Sequence, residues 1–213
     1  MTLSPSSRAE LNWWIFNVDT SRKLISHGEP ELHNQTDTSA HGWGGLRGEQ
    51  RTGGRGNQQE ASRHINYREL LAVLLTIKAL CGKCANLHIR VQCYINNMGG
   101  SKSPDCNSVA RQIWDYCVES NIWISTSHLP GCENTEADRE SRQFNDGTEW
   151  QLESDICHSI TKQFGQPSID LFASCLNKQC PVYALWRPDP DALFVDAFCA
   201  NRNNFFLLCI PSF

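Results

Sequence analysis

Asp37, Glu69, His128 and Asp138 are the residues of this chain whose types and positions could do chemistry. Three are carboxylates and one is an imidazole. His128 and Asp138 belong to the stretch His128–Arg142, HLPGCENTEADRESR. There Pro130 and Gly131 set a turn. Asn134 is expected to cap a helix, its side-chain oxygen accepting from an amide one turn in. The histidine and the acid lie ten positions apart across that loop, so both could reach one site. Each residue also has a plainer reading, and for His128 it is that of a loop histidine that is simply solvated. An acid in a first helical turn is favoured by the helix dipole alone. Asp37 could be a turn residue. Glu69 could pair with Asn66 as a capping box on its own helix.

The elements that must position these groups read in order along the chain. Leu11–Val18 suggests a short helix that packs on another element. ELHNQTDTSAHGWGG (31–45) predicts a strand ending near Asp37, a turn through Thr38–His41 and a returning strand at Gly42–Gly45. Glycines flanking Trp43 suit a close-packed hairpin. LRGEQRTGGRGNQQEASR (46–63) has little apolar content and predicts a weak third strand in a loose hairpin. NYRELLAVLLTIKAL (66–80) is the clearest helix, because Leu70, Val73, Leu74, Ile77 and Leu80 follow the three-and-four spacing of a buried face. LHIRVQCYI (87–95) alternates as a strand. Pro104 and Asp105 open a helix to about Ser120, NIWISTS (121–127) is a strand running into His128, and Asn134–Phe144 forms the next helix. This order gives an α/β or α+β sheet layered with helices. Asp37, Glu69 and Asp138 then fall at element ends that such a fold could bring together.

Composition bounds the rest. The 213 residues suit one domain with an extension or two small ones. Hydrophobic types at 40% and charged types at 20% are those of a globular chain rather than a disordered one. No run has the apolar length of a membrane span, and the first residues lack the pattern of a signal peptide, so an intracellular protein without a membrane partner is expected. Eleven cysteines are an odd count. Cys81 and Cys84 form a lone CxxC without a second pair at zinc-finger spacing. Cys117, Cys199 and Cys209 sit among apolar residues as core filler. A net charge of −4 argues against a broad electrostatic nucleic-acid binder, not against an enzyme that gathers acids around metal ions. One basic stretch, Leu46–Arg68, holds Arg47, Arg51, Arg55, Arg63 and Arg68. It reads as a phosphate-facing surface or as a solvated loop.

Taken jointly, TDTSAHGWGG (36–45), HINYRELLAV (64–73), YINNMGG (94–100), HLPGCENTEADRESRQFND (128–146) and the later IDLFASCLN, YALWRPDP and VDAF resemble the ribonuclease H domain of retroelement reverse transcriptases. Within that group the chain looks most like DIRS-type elements, which encode a tyrosine recombinase. The resemblance implies a mixed five-stranded sheet with helices on both sides. It divides the chain into a tether at 1–30 that follows the polymerase part of the same polyprotein, a nuclease-like domain at 31–148 and an extension at 149–213. It implies two Mg²⁺ ions held by four carboxylates at the scissile phosphate of RNA in an RNA–DNA hybrid. By motif, Asp37 is the first carboxylate, Glu69 the second and Asp138 the last, and His128 matches a mobile-loop histidine that helps activate water or release product. Arg51 and Arg55 are the candidates for contacting nucleic acid.

The chain departs from this pattern at the third carboxylate. It should follow the strand Leu87–Gln92, but HIRVQ runs directly into CYINN, and from Leu70 to Pro104 there is no Asp or Glu. Asp105 lies beyond a Gly-Gly turn and is a poor substitute. The shortened connection is expected to pull the sheet out of register, and Gly56, where related sequences carry Trp, to weaken the third strand. A relic with little or no nuclease activity is the expected outcome. In the extension, Asp170, Asp189 and Asp196 are explained most simply as turn and surface acids.

Overall fold

A computed structural model describes residues 3–20, 27–93, 103–144, 151–198 and 205–208. Its main sheet has five strands, β1 (Leu32–Thr38), β2 (Gly42–Arg47), β3 (Gln50–Arg55), β4 (Leu87–Cys93) and β5 (Ile122–His128), in the order β3-β2-β1-β4-β5. The first three form an antiparallel meander, and β4 and β5 add to β1 in parallel. Parallel neighbours need helical crossovers, and α3 (Ile65–Cys81) and α4 (Pro104–Glu119) supply them. The mixed five-stranded sheet flanked by helices is thus the architecture the sequence led us to expect. The helix α1 (Pro5–Asn17) begins earlier than expected, at a Ser4 cap. Its Trp13, Trp14 and Phe16 are exposed rather than packed on another element.

Apolar side chains of α3, β4, α4 and β5 build one core on one face of the sheet. Leu70, Val73, Leu74 and Ile77 meet Ile89 and Val91 of β4 and Val109 and Ile113 of α4. The second face is covered by α5 (Thr135–Arg142), which lies over β2, β1 and β3. Two adjacent glycines of β2 make this double covering possible. Successive strand residues point to opposite faces. A Cβ on Gly45 would meet the Thr76 hydroxyl of α3 at 2.1 Å, and one on Gly44 would meet the Ala137 carbonyl of α5 at 2.5 Å.

Two expectations fail here. The third strand is not weak: β3 pairs with β2 without a break from Gly42↔Arg55 to Arg47↔Gln50. A tight turn fixes this register, with Gly48 at φ +58°, so the ladder does not depend on apolar side chains. Nor is the sheet out of register beside the shortened connection. β4 pairs with β1 from Leu32↔Ile89 to Gln35↔Gln92 and with β5 from Leu87↔Ile122 to Cys93↔His128. Its buried Ile89, Val91 and Cys93 lock the pleat, since a one-residue slip would turn them all outward. The motif at 94–100 lies outside the described residues.

The C-terminal part of the chain contributes α6 (Ser154–Phe164) and short strand pairs around Ile169, Leu171, Ala184 and Ala197. It touches the main sheet at β3. The Thr52 hydroxyl donates to the Pro188 carbonyl at 2.9 Å, and the Arg187 guanidinium donates to the Gly53 carbonyl at 3.3 Å. Among the described residues no helix is long and apolar enough to cross a membrane.

Candidate functional site

Asp37 lies one residue before the end of β1, opposite Gly44 in the register of β2. Residues directly opposite across two strands share a face, so Asp37 points to the side where α5 sits close above Gly44. The Ser141 hydroxyl of α5 donates to Asp37 Oδ2 at 3.1 Å, and the Asn134 amide reaches Asp37 Oδ1 at 3.5 Å. Asn134 also donates to the Thr36 carbonyl at 2.9 Å. It therefore does not cap α5 with its side chain, as the sequence suggested. Its amide is instead spent tying the start of the helix to β1. Asn134, Asp138 and Ser141 are spaced four and three apart, which puts them on one helical face, and that face is the one turned to Asp37.

Asp138 thus stands beside Asp37 without special geometry. Its Oδ1 accepts from Arg142 Nε at 2.7 Å, an exposed pair one turn along the helix. Glu69 reaches the same neighbourhood from the opposite side. The α3 helix starts at Ile65, capped by His64 Nδ1 accepting from the Asn66 amide at 3.2 Å. That earlier start carries Glu69 past the capping position, so the expected box with Asn66 does not form. A capping box occurs instead in the short α2 (Gln58–Ala61), between Asn57 and Glu60. Glu69 is 6% exposed, and its Oε2 is buried without a hydrogen-bond partner.

The electrostatics follow from this crowding. Burial pushes the Asp37 carboxyl up from 3.8 to about 6, with the Ser141 hydrogen bond pulling down and the Asp138 charge pushing up. Burial likewise pushes Glu69 up from 4.5 to about 7, helped by the charge of Asp37 and opposed by Arg68. Arg68 is turned away in part, donating to the Ser39 carbonyl. Two acids therefore share a poorly solvated corner in which burial, only partly offset by Arg142 and Arg68, disfavours their ionised forms.

The donor set suits a hard divalent cation, which prefers carboxylate and water oxygens. Glu69 Oε2, buried and unsatisfied, is the structural observation that fits such an ion. The number of donors is small. Among the described residues no three His, Cys, Asp or Glu side chains stand close enough to hold an ion by themselves. Mg²⁺ commonly takes one or two carboxylates and completes its shell with water and substrate phosphate. The residues present fit that arrangement, and fit it less well for two ions than for one.

The remaining candidates lie as follows. His128 is the last residue of β5, opposite Cys93 rather than in the loop. It is level with the end of β1 at the same edge of the parallel strands, two strands away, about 10 Å at the usual spacing. Asp105 pairs with Arg63 at the start of α4. All five arginines of the basic stretch have protein partners. Arg51 meets Glu136 at 2.7 Å and Glu140 at 3.6 Å, Arg55 lies over the Phe144 ring, and Arg47 contacts Cys84 and Cys81. In the C-terminal part, Asp189 accepts from the Tyr183 hydroxyl at 2.6 Å and from two backbone amides, and Asp196 accepts from the Phe198 amide, as turn acids do. Asp170 is not the turn or surface acid expected: it is buried in the short strand Ile169–Asp170, where it accepts from the Gln179 amide and burial pushes its carboxyl up.

No protein-family model matches the chain, and no curated protein matches it. Solved structures do. An RNase H1 from the halophilic archaeon Halobacterium salinarum is 15% identical over 51% of this chain and 92% of its own, with a TM-score of 0.37. The N-terminal RNase H domain of a Mycobacterium tuberculosis protein, solved as a maltose-binding-protein fusion, is 19% identical over 51% of this chain and 94% of its own, with a TM-score of 0.35. The prototype foamy virus protease-reverse transcriptase is 15% identical over 63% of this chain and 20% of its own, with a TM-score of 0.34.

Proposed function

We propose that this chain is the ribonuclease H-like part of a DIRS-type retroelement reverse transcriptase polyprotein, built to cleave RNA in RNA–DNA hybrids and impaired by loss of one carboxylate. The observation that carries the reading is the Asp37–Glu69 pair, two desolvated acids from different elements with Asp138 beside them and no adequate protein cation. Structural acids are normally paired or hydrogen-bonded when buried, and an orphaned Glu69 oxygen at that corner is what a ligand site leaves behind.

Mg²⁺ bound there would neutralise charge on a phosphate and favour ionised water near it. The chain's own residues do the positioning. Ser141 and Asn134 fix the two oxygens of Asp37, so one rotamer is presented to the substrate. Glu69 is held by the helix that packs on the sheet. Asp138 is held by Arg142, which balances part of its charge. In this reading His128, at the same edge of the sheet, would exchange protons with water or product. The hybrid would be recognised by shape and 2′-hydroxyls rather than by base edges. In this reading residues 1–30 are the tether from the polymerase part, and 149–213 an extension of the nuclease-like unit.

The test is a Mg²⁺-dependent cleavage assay on a labelled hybrid, with the chain as it stands and with an Asp-containing connection restored between Gln92 and Tyr94. Weak or no cleavage from the first, and a gain from the second that Asp37→Asn abolishes, is the expected result. The missing acid also favours a second reading, a non-catalytic module that binds the hybrid through Arg51 and Arg55. Salt-sensitive hybrid binding, lowered by Arg51→Ala and Arg55→Ala, with no cleavage even after the connection is restored, would favour it. Absence of both cleavage and hybrid binding would sink both readings.

A further inference from the structure

The lone CxxC takes no part in the proposed hydrolysis, yet its surroundings are built. Cys81 is the last residue of α3, and the Cys84 amide donates back to the Cys81 carbonyl at 2.9 Å. A turn closed in this way brings its end Cα atoms within about 7 Å, a span a disulfide can bridge. One atom, Arg47 Nη1, contacts both sulfurs, at 3.3 Å for Cys84 and 3.7 Å for Cys81. The two thiols differ in access. Cys81 is fully buried and accepts from the Asn34 amide at 3.4 Å. Cys84 is half-buried and lines an open cavity of about 580 Å³ together with Arg47, Lys78, Lys83 and one acid, Asp189. That is room for a small peptide-sized ligand, and three cations against one acid select an anionic one.

We propose that Cys81 and Cys84 are a thiol–disulfide pair, in which Cys84 attacks a small anionic disulfide of the oxidised-glutathione class held in the cationic cavity and Cys81 resolves the adduct. In the first step Cys84, as thiolate, attacks one sulfur of the ligand. The ligand's S–S bond breaks, a mixed disulfide forms on Cys84, and one ligand thiolate leaves. In the second step Cys81 loses its proton and attacks Cys84 Sγ, forming the Cys81–Cys84 bond and expelling the second ligand thiolate. Two cysteine thiols are oxidised by two electrons, the ligand disulfide is reduced to two thiols, and the two cysteine protons end on them. Arg47 stabilises negative charge on either sulfur as it develops. Burial pushes the Cys81 thiol up, against the pull of Asn34 and Arg47, which keeps it protonated until its partner is modified.

Trypsin gives a direct readout, because cleavage after Lys78, Lys83 and Arg90 puts the cysteines in separate peptides, Ala79–Lys83 and Cys84–Arg90. The folded chain is treated with oxidised glutathione, quenched with acid, digested and weighed. The expected product is the linked peptide pair. Cys81→Ser should accumulate the mixed disulfide on Cys84, and Cys84→Ser should lose the linkage. Arg47→Gln should slow adduct formation roughly tenfold. The exposed Cys132 and Cys175 are internal references, and Cys84 should react faster than either despite its lower exposure. A link to Cys117 or Cys132, a Cys84 rate no higher than that of the references, or no adduct on the Cys81→Ser chain would overturn the proposal. A cooperative thermal transition for each variant separates loss of chemistry from loss of fold.

Discussion

At the N-terminal end of α3, Glu69 shares a buried corner with Asp37 while Arg68 is partly diverted to a backbone carbonyl. Near its C-terminal end, Cys81 and Cys84 sit under a single guanidinium that touches both sulfurs. Both places gather groups that carry negative charge when they work. The second has one cation touching both of its groups, whereas in the first Arg142 is bonded to Asp138 and Arg68 only partly offsets Glu69. The comparison separates a site completed from outside from one completed within. A corner left short of positive charge costs stability while empty, and a cation from solution can relieve that cost. The thiol pair has no such need, and its partner comes as an oxidant instead.

The comparison breaks most directly through Gly44. A methyl group there would run into the Ala137 carbonyl and the Ser141 amide, so Gly44→Ala must lift α5 from β1. Overpacking of this kind costs about 1–3 kcal/mol. It should lower the melting temperature and abolish any stabilisation by Mg²⁺, while the thiol chemistry at the far end of α3 persists in the folded fraction. Equal damage at both ends would show that they are not independent.

Next in size is a pH and Mg²⁺ effect confined to the acidic corner. Asp37 and Glu69 hold protons more tightly folded than unfolded, so folding takes up protons. Their contribution is therefore best at pH 4 and is lost as pH rises through about 6 for Asp37 and about 7 for Glu69. Glu69→Gln should raise the melting temperature at pH 8 and change it little at pH 4. Mg²⁺ at a hundred times its Kd should add about 2.7 kcal/mol to the parent at pH 8, and far less after Asp37→Asn. A melting temperature of the parent that climbs steadily from pH 4 to pH 8 without Mg²⁺, unchanged in slope by Glu69→Gln, would contradict this assignment. The smallest effect belongs to Arg51→Ala. Its contacts with Glu136 and Glu140 are partly exposed, so thermal stability should change by about 1 kcal/mol or less.

Much of this arrangement was legible in the sequence, for identifiable reasons. The α3 periodicity placed Leu70 through Leu80, and with them the buried face, because helix packing repeats at fixed intervals. The end of β1 placed Asp37. What escaped depended on contacts between distant segments. Asn134 has the residue type of a helix cap, and only the approach of β1 diverts its amide to Thr36 and Asp37. A usable signal existed: the four-and-three spacing of Asn134, Asp138 and Ser141 marks one polar face on a helix whose acid was already of interest. The capping box with Asn66 failed because the cap of α3 is His64, two residues earlier than expected. The third strand was underrated because backbone pairing and a glycine turn, not apolar side chains, hold it. The partners of Arg51 and Arg55 could not be read at all, since Glu136, Glu140 and Phe144 are far away in the chain.

The hold of Arg187 and Pro188 on β3 bears on how open that edge of the sheet is to another strand. An outermost strand with bare amides and carbonyls invites a stranger's strand to join it. Here the guanidinium of Arg187 occupies the Gly53 carbonyl, and the Pro188 carbonyl accepts from the Thr52 hydroxyl. The C-terminal segment thereby acts as a partial selvedge, taking up one acceptor of the border while Gln50, Arg51 and Arg55 stay exposed along it.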